Sequence, residues 1–164
     1  QVVQAMERAF KVIEDVFAEF AKISGREYKI VESYMCDDAD YVAVVLGSSY
    51  GTMKEAVDRL RDNGKKVGVC MPRIMRPWPS KYLAKILSGK KGVAVMDKHL
   101  SIGAYGSLYP EVVATMSQYD EKLKIVNYIY GLGGKDVKVS EFMDVFENME
   151  KEKSKTINYL GVKE

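Results

Sequence analysis

Val3, Met6, Phe10, Ile13, Phe17 and Phe20 recur at alternating intervals of three and four, which puts them on one face of an α-helix. The spacing predicts a helix ending near Gly25. Such a face either packs on its own domain or meets a second subunit; with fewer than four heptads present, packing is the simpler expectation. Tyr28 to Ser33 then reads as a short strand, and Cys36-Asp37-Asp38-Ala39-Asp40 as a polar turn. From Tyr41 to Leu46 every side chain is apolar or aromatic with no alternation, as in a strand covered by helices on both faces of a parallel sheet.

Thr52 and Glu55 have the spacing of a capping box, predicting a helix from Met53 to about Asp62 that stops at Asn63-Gly64. Lys66 to Met71 is the next strand, halted by Pro72. Ser80 is placed to cap a helix burying Leu83, Ile86 and Leu87 before Gly89. Val93 to Met96 is a strand, Asp97 to Ser107 a glycine-containing connection, and Pro110-Glu111 suits the first turn of a helix. Ile125 to Tyr130 is the last strand expected. Gly131-Leu132-Gly133-Gly134 breaks the chain, and Ser140 heads a helix burying Phe142, Val145, Phe146 and Met149.

Strand and helix alternate throughout, so the fold class is α/β, a three-layer α/β/α domain around a mostly parallel sheet. Three parts are expected: an amphipathic helix over residues 1–25 packing on the domain, the α/β domain over 26–150, and a charged tail over 151–164 that frays. The chain starts with Gln1 and enters a patterned helix at once, as a domain cut from a longer polypeptide would; loss of a short leading segment would look the same.

Composition narrows the function classes. The 164 residues include 47% hydrophobic and 29% charged, a soluble globular balance. Twenty-five basic and 23 acidic residues are scattered to a net charge of +2, so no basic stripe points to nucleic acid or an anionic membrane. Apolar runs are short and no signal segment is apparent, so a reducing, cytoplasmic setting is expected. The two cysteines, Cys36 and Cys70, form no CxxC pair, and His99 is the single histidine. Iron-sulfur clusters and structural zinc usually take a full set of thiolates and imidazoles, so no metal site is expected.

The candidate chemistry lies in the turns. Gly47, Ser48, Ser49, Gly51 and Thr52 follow a buried strand and precede a helix, where backbone amides can hold a phosphate or carboxylate. The run lacks the Gly-Lys-Ser/Thr ending of a P-loop and the GxGxxG of a dinucleotide fold. Freedom of φ and helix capping also account for these residue types without a ligand. Ser101, Gly103 and Gly106 make a second candidate, beside His99, at the end of the next strand. Arg73 and Arg76 offer donor forks for a carboxylate. Pro77-Trp78-Pro79 would hold Arg76 in place, or else route the chain while Trp78 meets a neighbouring domain. Asp37, Asp38 and Asp40 read as a solvated turn, and no Ser/His/Asp or Cys/His set can be nominated.

Several ordered blocks carry a resemblance. Gly47-Ser48 through Gly51-Thr52, Glu55-Ala56-Val57-Asp58, Leu60-Arg61, Gly64-Lys65-Lys66-Val67-Gly68 and Arg76-Pro77-Trp78-Pro79 are similar to the 2-oxoacid:ferredoxin oxidoreductases. Within them the blocks resemble the region after the pyrimidine-binding domain in the alpha subunit of pyruvate:ferredoxin oxidoreductase, or pyruvate synthase. Asp97 with Ser101-Ile102-Gly103, then Gly106, Leu108-Tyr109 and Glu111-Val112, continue the match, and Gly131-Leu132-Gly133-Gly134-Lys135-Asp136 closes it. The match runs from about Arg26 to Asp136. Trp78 stands where phenylalanine is common, and Lys98 and Lys135 where arginine is common, which would weaken any bidentate contact made there.

The resemblance implies a transketolase C-terminal-like domain of five strands, four parallel and the first antiparallel. It implies a parent complex that decarboxylates pyruvate on thiamine diphosphate with magnesium, passes electrons through iron-sulfur clusters to ferredoxin, and forms acetyl-CoA from coenzyme A. The family's thiamine-activating and diphosphate-binding groups lie elsewhere, so no catalytic, cofactor-binding or metal residue maps here. Expected partners are the other domains and subunits of the complex, and ferredoxin only indirectly. Three alternatives stay open: a module binding a small anion at the glycine turns, the equivalent domain of a 2-oxoglutarate or branched-chain 2-oxoacid oxidoreductase, and a purely structural piece of a transketolase-like or 2-oxoacid dehydrogenase enzyme that uses lipoamide or another acceptor.

Overall fold

The computed structural model describes residues 1–162. Helix α1 (Val2–Ser24) ends at Gly25, whose φ of 69° lets its amide close on the Ala21 carbonyl. There follow β1 (Val31–Tyr34), β2 (Tyr41–Val44), α2 (Ser49–Asp62), β3 (Val67–Pro72), α3 (Ser80–Leu87), β4 (Gly92–Asp97), α4 (Leu108–Tyr119), β5 (Ile125–Ile129), α5 (Val139–Glu150) and β6 (Ile157–Tyr159).

The strands form one sheet in the order β1-β3-β2-β4-β5-β6. Strand β1 runs antiparallel to β3, with Ser33 opposite Cys70, and the other pairs are parallel. The expected fold class holds, and the strand count is corrected from five to six. The added strand comes from the segment expected to fray: the Asn127 amide donates to the Thr156 carbonyl and the Leu160 amide to Ile129. Asn158 Nδ2 also donates to the Asn127 carbonyl at 3.1 Å, and the Tyr128 hydroxyl meets Ser154 Oγ at 2.7 Å. Backbone pairing and polar side chains, rather than apolar patterning, hold this edge.

The central strands bury both faces. Ala43, Val45, Val69, Ala94, Met96, Val126 and Tyr128 point to one side, under Met53, Ala56, Val57 and Leu60 of α2 and Phe142, Val145, Phe146 and Met149 of α5. Val42, Val44, Cys70, Val93 and Val95 point to the other, under Leu83 and Leu87 of α3 and Leu108, Val112 and Met116 of α4. Helix α1 reaches that second layer through Phe10, Ile13 and Phe17, with Phe20 stacked on Tyr28 at 5.6 Å. No residue of α1 is fully buried, and Val3 and Met6 overhang the domain.

Three cap assignments change. Helix α2 begins a turn earlier than the Thr52–Glu55 spacing implies, with Ser48 as its N-cap and no side-chain cap bond; Glu55 pairs with Arg59 at 2.9 Å. Ser80 and Ser140 are helical residues rather than caps. At α5 the Glu141 carboxylate accepts the Lys138 amide at 2.8 Å. Gly51 therefore lies inside α2, where a Cβ would meet nothing within 4 Å. Gly51→Ala is expected to raise stability by about 0.5–1 kcal/mol in urea denaturation, since glycine costs a helix that much backbone entropy. A loss of stability would show that the turn needs glycine for another reason.

Candidate site at the carboxyl edge of the sheet

Parallel strands deliver their following loops to one edge. Strand β2 leads to α2 on one face of the sheet and its neighbour β4 leads to α4 on the other, so their loops diverge between adjacent strands. That divergence is where open α/β sheets hold ligands. Gly47, Ser48, Ser49, Gly51 and Thr52 lie on the β2 side, and Ser101, Gly103 and Gly106 on the β4 side. Arg76 and Trp78 follow β3 at the same edge. The fold thus gathers every candidate residue, from three separate stretches, along one rim.

A cleft of about 200 Å³ opens there, lined among others by Ser48, Ser49, Thr52, Lys98, Tyr130 and Lys135. The Lys98 ammonium lies 5.5 Å from the Tyr130 ring centre, and Lys135 Nζ donates to the Gly161 carbonyl. Burial pushes the Tyr130 phenol above its ordinary pKa, against the opposing effect of its hydrogen bond with Ser49. Lys98, Lys135 and the start of α2 face this small space together with the Asp136 carboxylate, so its cationic character is partly offset.

The arginines are already engaged. Arg76 meets Glu111 at 2.5 Å and donates to the Met75 carbonyl, while Arg73 pairs with Glu32 at 3.0 Å and lies 4.3 Å from the Tyr28 ring centre. Each would have to leave a carboxylate of its own chain to take another. Trp78 donates its indole N–H to Thr115 Oγ1 at 2.7 Å and packs on the α3–α4 layer, so it belongs to this domain's own packing. Asp38 and Asp40 are ion-paired with Arg61 and Lys91, at 2.7 and 3.1 Å. His99 is exposed in the β4–α4 loop.

The groups that hold this rim in shape were not among the sequence candidates. Asp97, at the end of β4, and Asn127, in the middle of β5, are both buried. Asn127 Nδ2 donates to Asp97 Oδ2 at 2.9 Å and to the Val95 carbonyl at 3.0 Å. Asn127 Oδ1 accepts the Gly106 amide at 2.9 Å, and Asp97 Oδ1 accepts the Leu108 amide at 2.9 Å, capping α4 from another strand. A Cβ on Gly106 would sit 2.2 Å from Asp97 Cγ, so glycine is there for close approach. The available signal was Asn127 itself, a polar residue inside the apolar run from Ile125 to Tyr130.

The two thiols do not suit an iron-sulfur cluster, which takes a full set of thiolates. Both thiols are buried; burial raises Cys36 to about 11 and Cys70 well above its ordinary value. Among the described residues no three His, Cys, Asp or Glu side chains converge as metal ligands.

Residues 39–142 match the family described as pyruvate:ferredoxin oxidoreductase core domain II. The chain is 37% identical to the pyruvate synthase subunit PorA of Pyrococcus furiosus over 98% of its own length and 42% of that protein's. It is 41% identical to the ketoisovalerate oxidoreductase subunit VorA of Pyrococcus abyssi over 92% of its length and 38% of that protein's. Less than half of each relative is therefore spanned. In fold it is similar to the 2-oxoglutarate:ferredoxin oxidoreductase of Magnetococcus marinus, solved with 2-oxoglutarate, coenzyme A and succinyl-CoA bound. The TM-score is 0.55 at 20% identity, over 74% of this chain and 20% of that one. A split gene transketolase, described as an inactive beta4 tetramer, gives 0.51 at 15% identity over 74% and 39%.

Proposed function

Since the chain belongs to the pyruvate:ferredoxin oxidoreductase family, through its core domain II, we propose that it is an accessory and assembly domain of an alpha-type subunit. The parent complex would oxidatively decarboxylate pyruvate with coenzyme A, giving acetyl-CoA, CO2 and reduced ferredoxin. In that complex thiamine diphosphate, magnesium, iron-sulfur clusters and coenzyme A do the chemistry, and protein domains place them and exclude water. The domain would work beside other subunits in the cytoplasm. Among the described residues no helix is long and apolar enough to cross a membrane.

The observation that carries the reading is the family match over residues 39–142, combined with a rim whose strongest polar groups are paired within the chain. Asp97 and Asn127 hold loops, and Arg73 and Arg76 hold carboxylates; these are roles in shape. Isothermal calorimetry of the chain with thiamine diphosphate and magnesium is expected to show no binding in the micromolar range. Pyruvate, coenzyme A and an artificial electron acceptor should give no turnover. Micromolar cofactor affinity would overturn the accessory role. The similar identities to PorA and VorA keep a branched-chain 2-oxoacid as the alternative substrate.

The cleft between Lys98 and Lys135 favours a second reading, a module that binds a small anion. Titration with phosphate, pyruvate and coenzyme A, followed by amide shifts, would support it if residues 47–52 or 101–107 respond. Silence at both turns would remove it.

A further inference from the structure

Asn63-Gly64 stops helix α2, and Gly64 is the only small residue to follow an asparagine in the chain: Asn127 and Asn158 precede tyrosine, and Asn148 precedes methionine. A main-chain nitrogen can attack the side-chain amide of the asparagine before it, and glycine, with no Cβ, leaves that nitrogen least hindered. Both residues are exposed, so the water that completes the reaction is at hand. The fold sets every participant against the attack. The Gly64 N–H donates to the Arg61 carbonyl at 2.8 Å and the Lys65 N–H to the Leu60 carbonyl at 3.0 Å. With Gly64 at a φ of 77°, these are the two bonds of a Schellman cap. The attacking nitrogen must shed its proton, so its hydrogen bond has to break first. Asn63 Nδ2 donates to the Arg59 carbonyl at 2.8 Å, which holds the side-chain amide back along the helix. Ring closure also needs the Gly64 nitrogen nearly eclipsed with the Asn63 Cβ; at a ψ of 17° it instead nearly eclipses the Asn63 nitrogen.

We infer that Asn63 is a latent deamidation site, held closed by the cap of α2 and reactive only when that cap opens. In the open turn the Gly64 nitrogen, having given its proton to solvent base, bonds to Asn63 Cγ. The Cγ–Nδ2 bond breaks, Nδ2 takes up a proton and leaves as ammonia, and a cyclic imide remains. Water then opens either carbonyl–nitrogen bond of the imide, returning a proton to the nitrogen and leaving the carboxylate of an aspartate or an isoaspartate. The sum is amide plus water to acid plus ammonia, with no oxidant, metal or partner. The lock on the turn is Arg61, whose side chain donates to the Val67 and Met35 carbonyls and to both oxygens of Asp38. It ties the last turn of α2 to the start of β3 and to the β1–β2 turn, so it sets how often the cap opens without its side chain touching the reacting atoms. Either product places a new negative charge at a helix C-terminus, where it is unfavourable. Isoaspartate also lengthens the backbone of the turn and breaks the spacing of the cap, so conversion loosens the end of α2.

The test is incubation of the chain in mildly alkaline buffer, folded and in guanidinium chloride, with peptide mass mapping around residue 63. In denaturant Asn63 should convert faster than Asn127, Asn148 and Asn158. In the folded chain its conversion should slow by about tenfold or more, the factor by which opening of the cap is disfavoured. Arg61→Ala should speed the folded-state reaction by about threefold or more while leaving the rate in denaturant unchanged. Asp38→Ala, which keeps the carbonyl contacts of Arg61, should speed it less and carries the same comparison if Arg61→Ala does not fold. Equal rates in the folded chain and in denaturant, or a folded-state rate indifferent to both variants, overturns the gating by the cap. Absence of conversion at Asn63 in denaturant overturns the site itself.

Discussion

Asn127→Leu is expected to lower the unfolding free energy by about 3–5 kcal/mol, because one buried amide serves three partners at once. The leucine keeps the branch at Cγ and is the larger residue, so the loss would not come from a cavity, and crowding would only add to it. Its cause is polar: the Gly106 N–H, the Val95 carbonyl and one oxygen of Asp97 lose their Asn127 contacts in a region closed to water. A buried carboxylate that loses a donor costs more than a neutral group in the same position. Asn127→Asp tests the donor role separately, since it keeps an acceptor for Gly106 but sets a second carboxylate against Asp97; it should be at least as damaging. Asp97→Asn should cost less, as the new amide oxygen can still accept from Leu108. Urea denaturation gives the magnitudes, and amide exchange at Gly106 and Leu108 should speed up in Asn127→Leu. A loss below about 1 kcal/mol would show that water satisfies these groups and that the network does not hold the loop.

Gly68→Ala is the second large effect, about 3 kcal/mol or failure to fold, and it is purely steric. A Cβ at this position in β3 would lie 2.5 Å from the Met35 oxygen, 2.9 Å from the Met35 carbonyl carbon and 3.0 Å from Cys36 Cα. All three are backbone atoms, so no side chain can rotate to relieve them. Met35 has a φ of 54°, and its carbonyl accepts from Arg61 Nη2 at 2.6 Å. Moving it would break that bond and disturb Cys36, whose thiol donates to the Val69 carbonyl at 3.3 Å. Thermal and urea unfolding of Gly68→Ala beside Gly51→Ala separates sterics from glycine entropy, because the two changes have opposite expected signs. A Gly68→Ala variant within about 0.5 kcal/mol of the parent chain would mean that the β1–β2 turn yields easily.

Most of the fold was legible because buried parallel strands and amphipathic helices write their environments into residue type. The unbroken apolar run at Tyr41 to Leu46 announces a strand covered on both faces, and the spacing of Phe142, Val145, Phe146 and Met149 announces α5. Strand β6 was not legible: Ile157 and Tyr159 sit among lysines, and its place depends on the free edge of β5, a neighbour formed about thirty residues earlier. Helix starts were read a few residues off for a related reason. Thr52, Ser80 and Ser140 have capping chemistry, but the caps are decided by where the preceding strand and turn release the chain, and at α4 the cap comes from Asp97.

The candidate site divides along the same line. Its glycines and hydroxyls were recognisable as turn chemistry, and their gathering on one rim follows from the alternation of strand and helix in a parallel sheet. The ion pairs of Arg73 and Arg76, and the packing of Trp78 on Thr115, join residues 35 to 41 positions apart and carry no local signature. By itself, then, the sequence determined the fold class, the family and the edge on which loops collect, because periodicity and motif are local properties. Only the tertiary structure decided which polar groups satisfy one another and that Asn127 and Asp97 anchor the rim. Those are matters of which distant atoms come within a few ångströms, and spacing along the chain does not encode that distance.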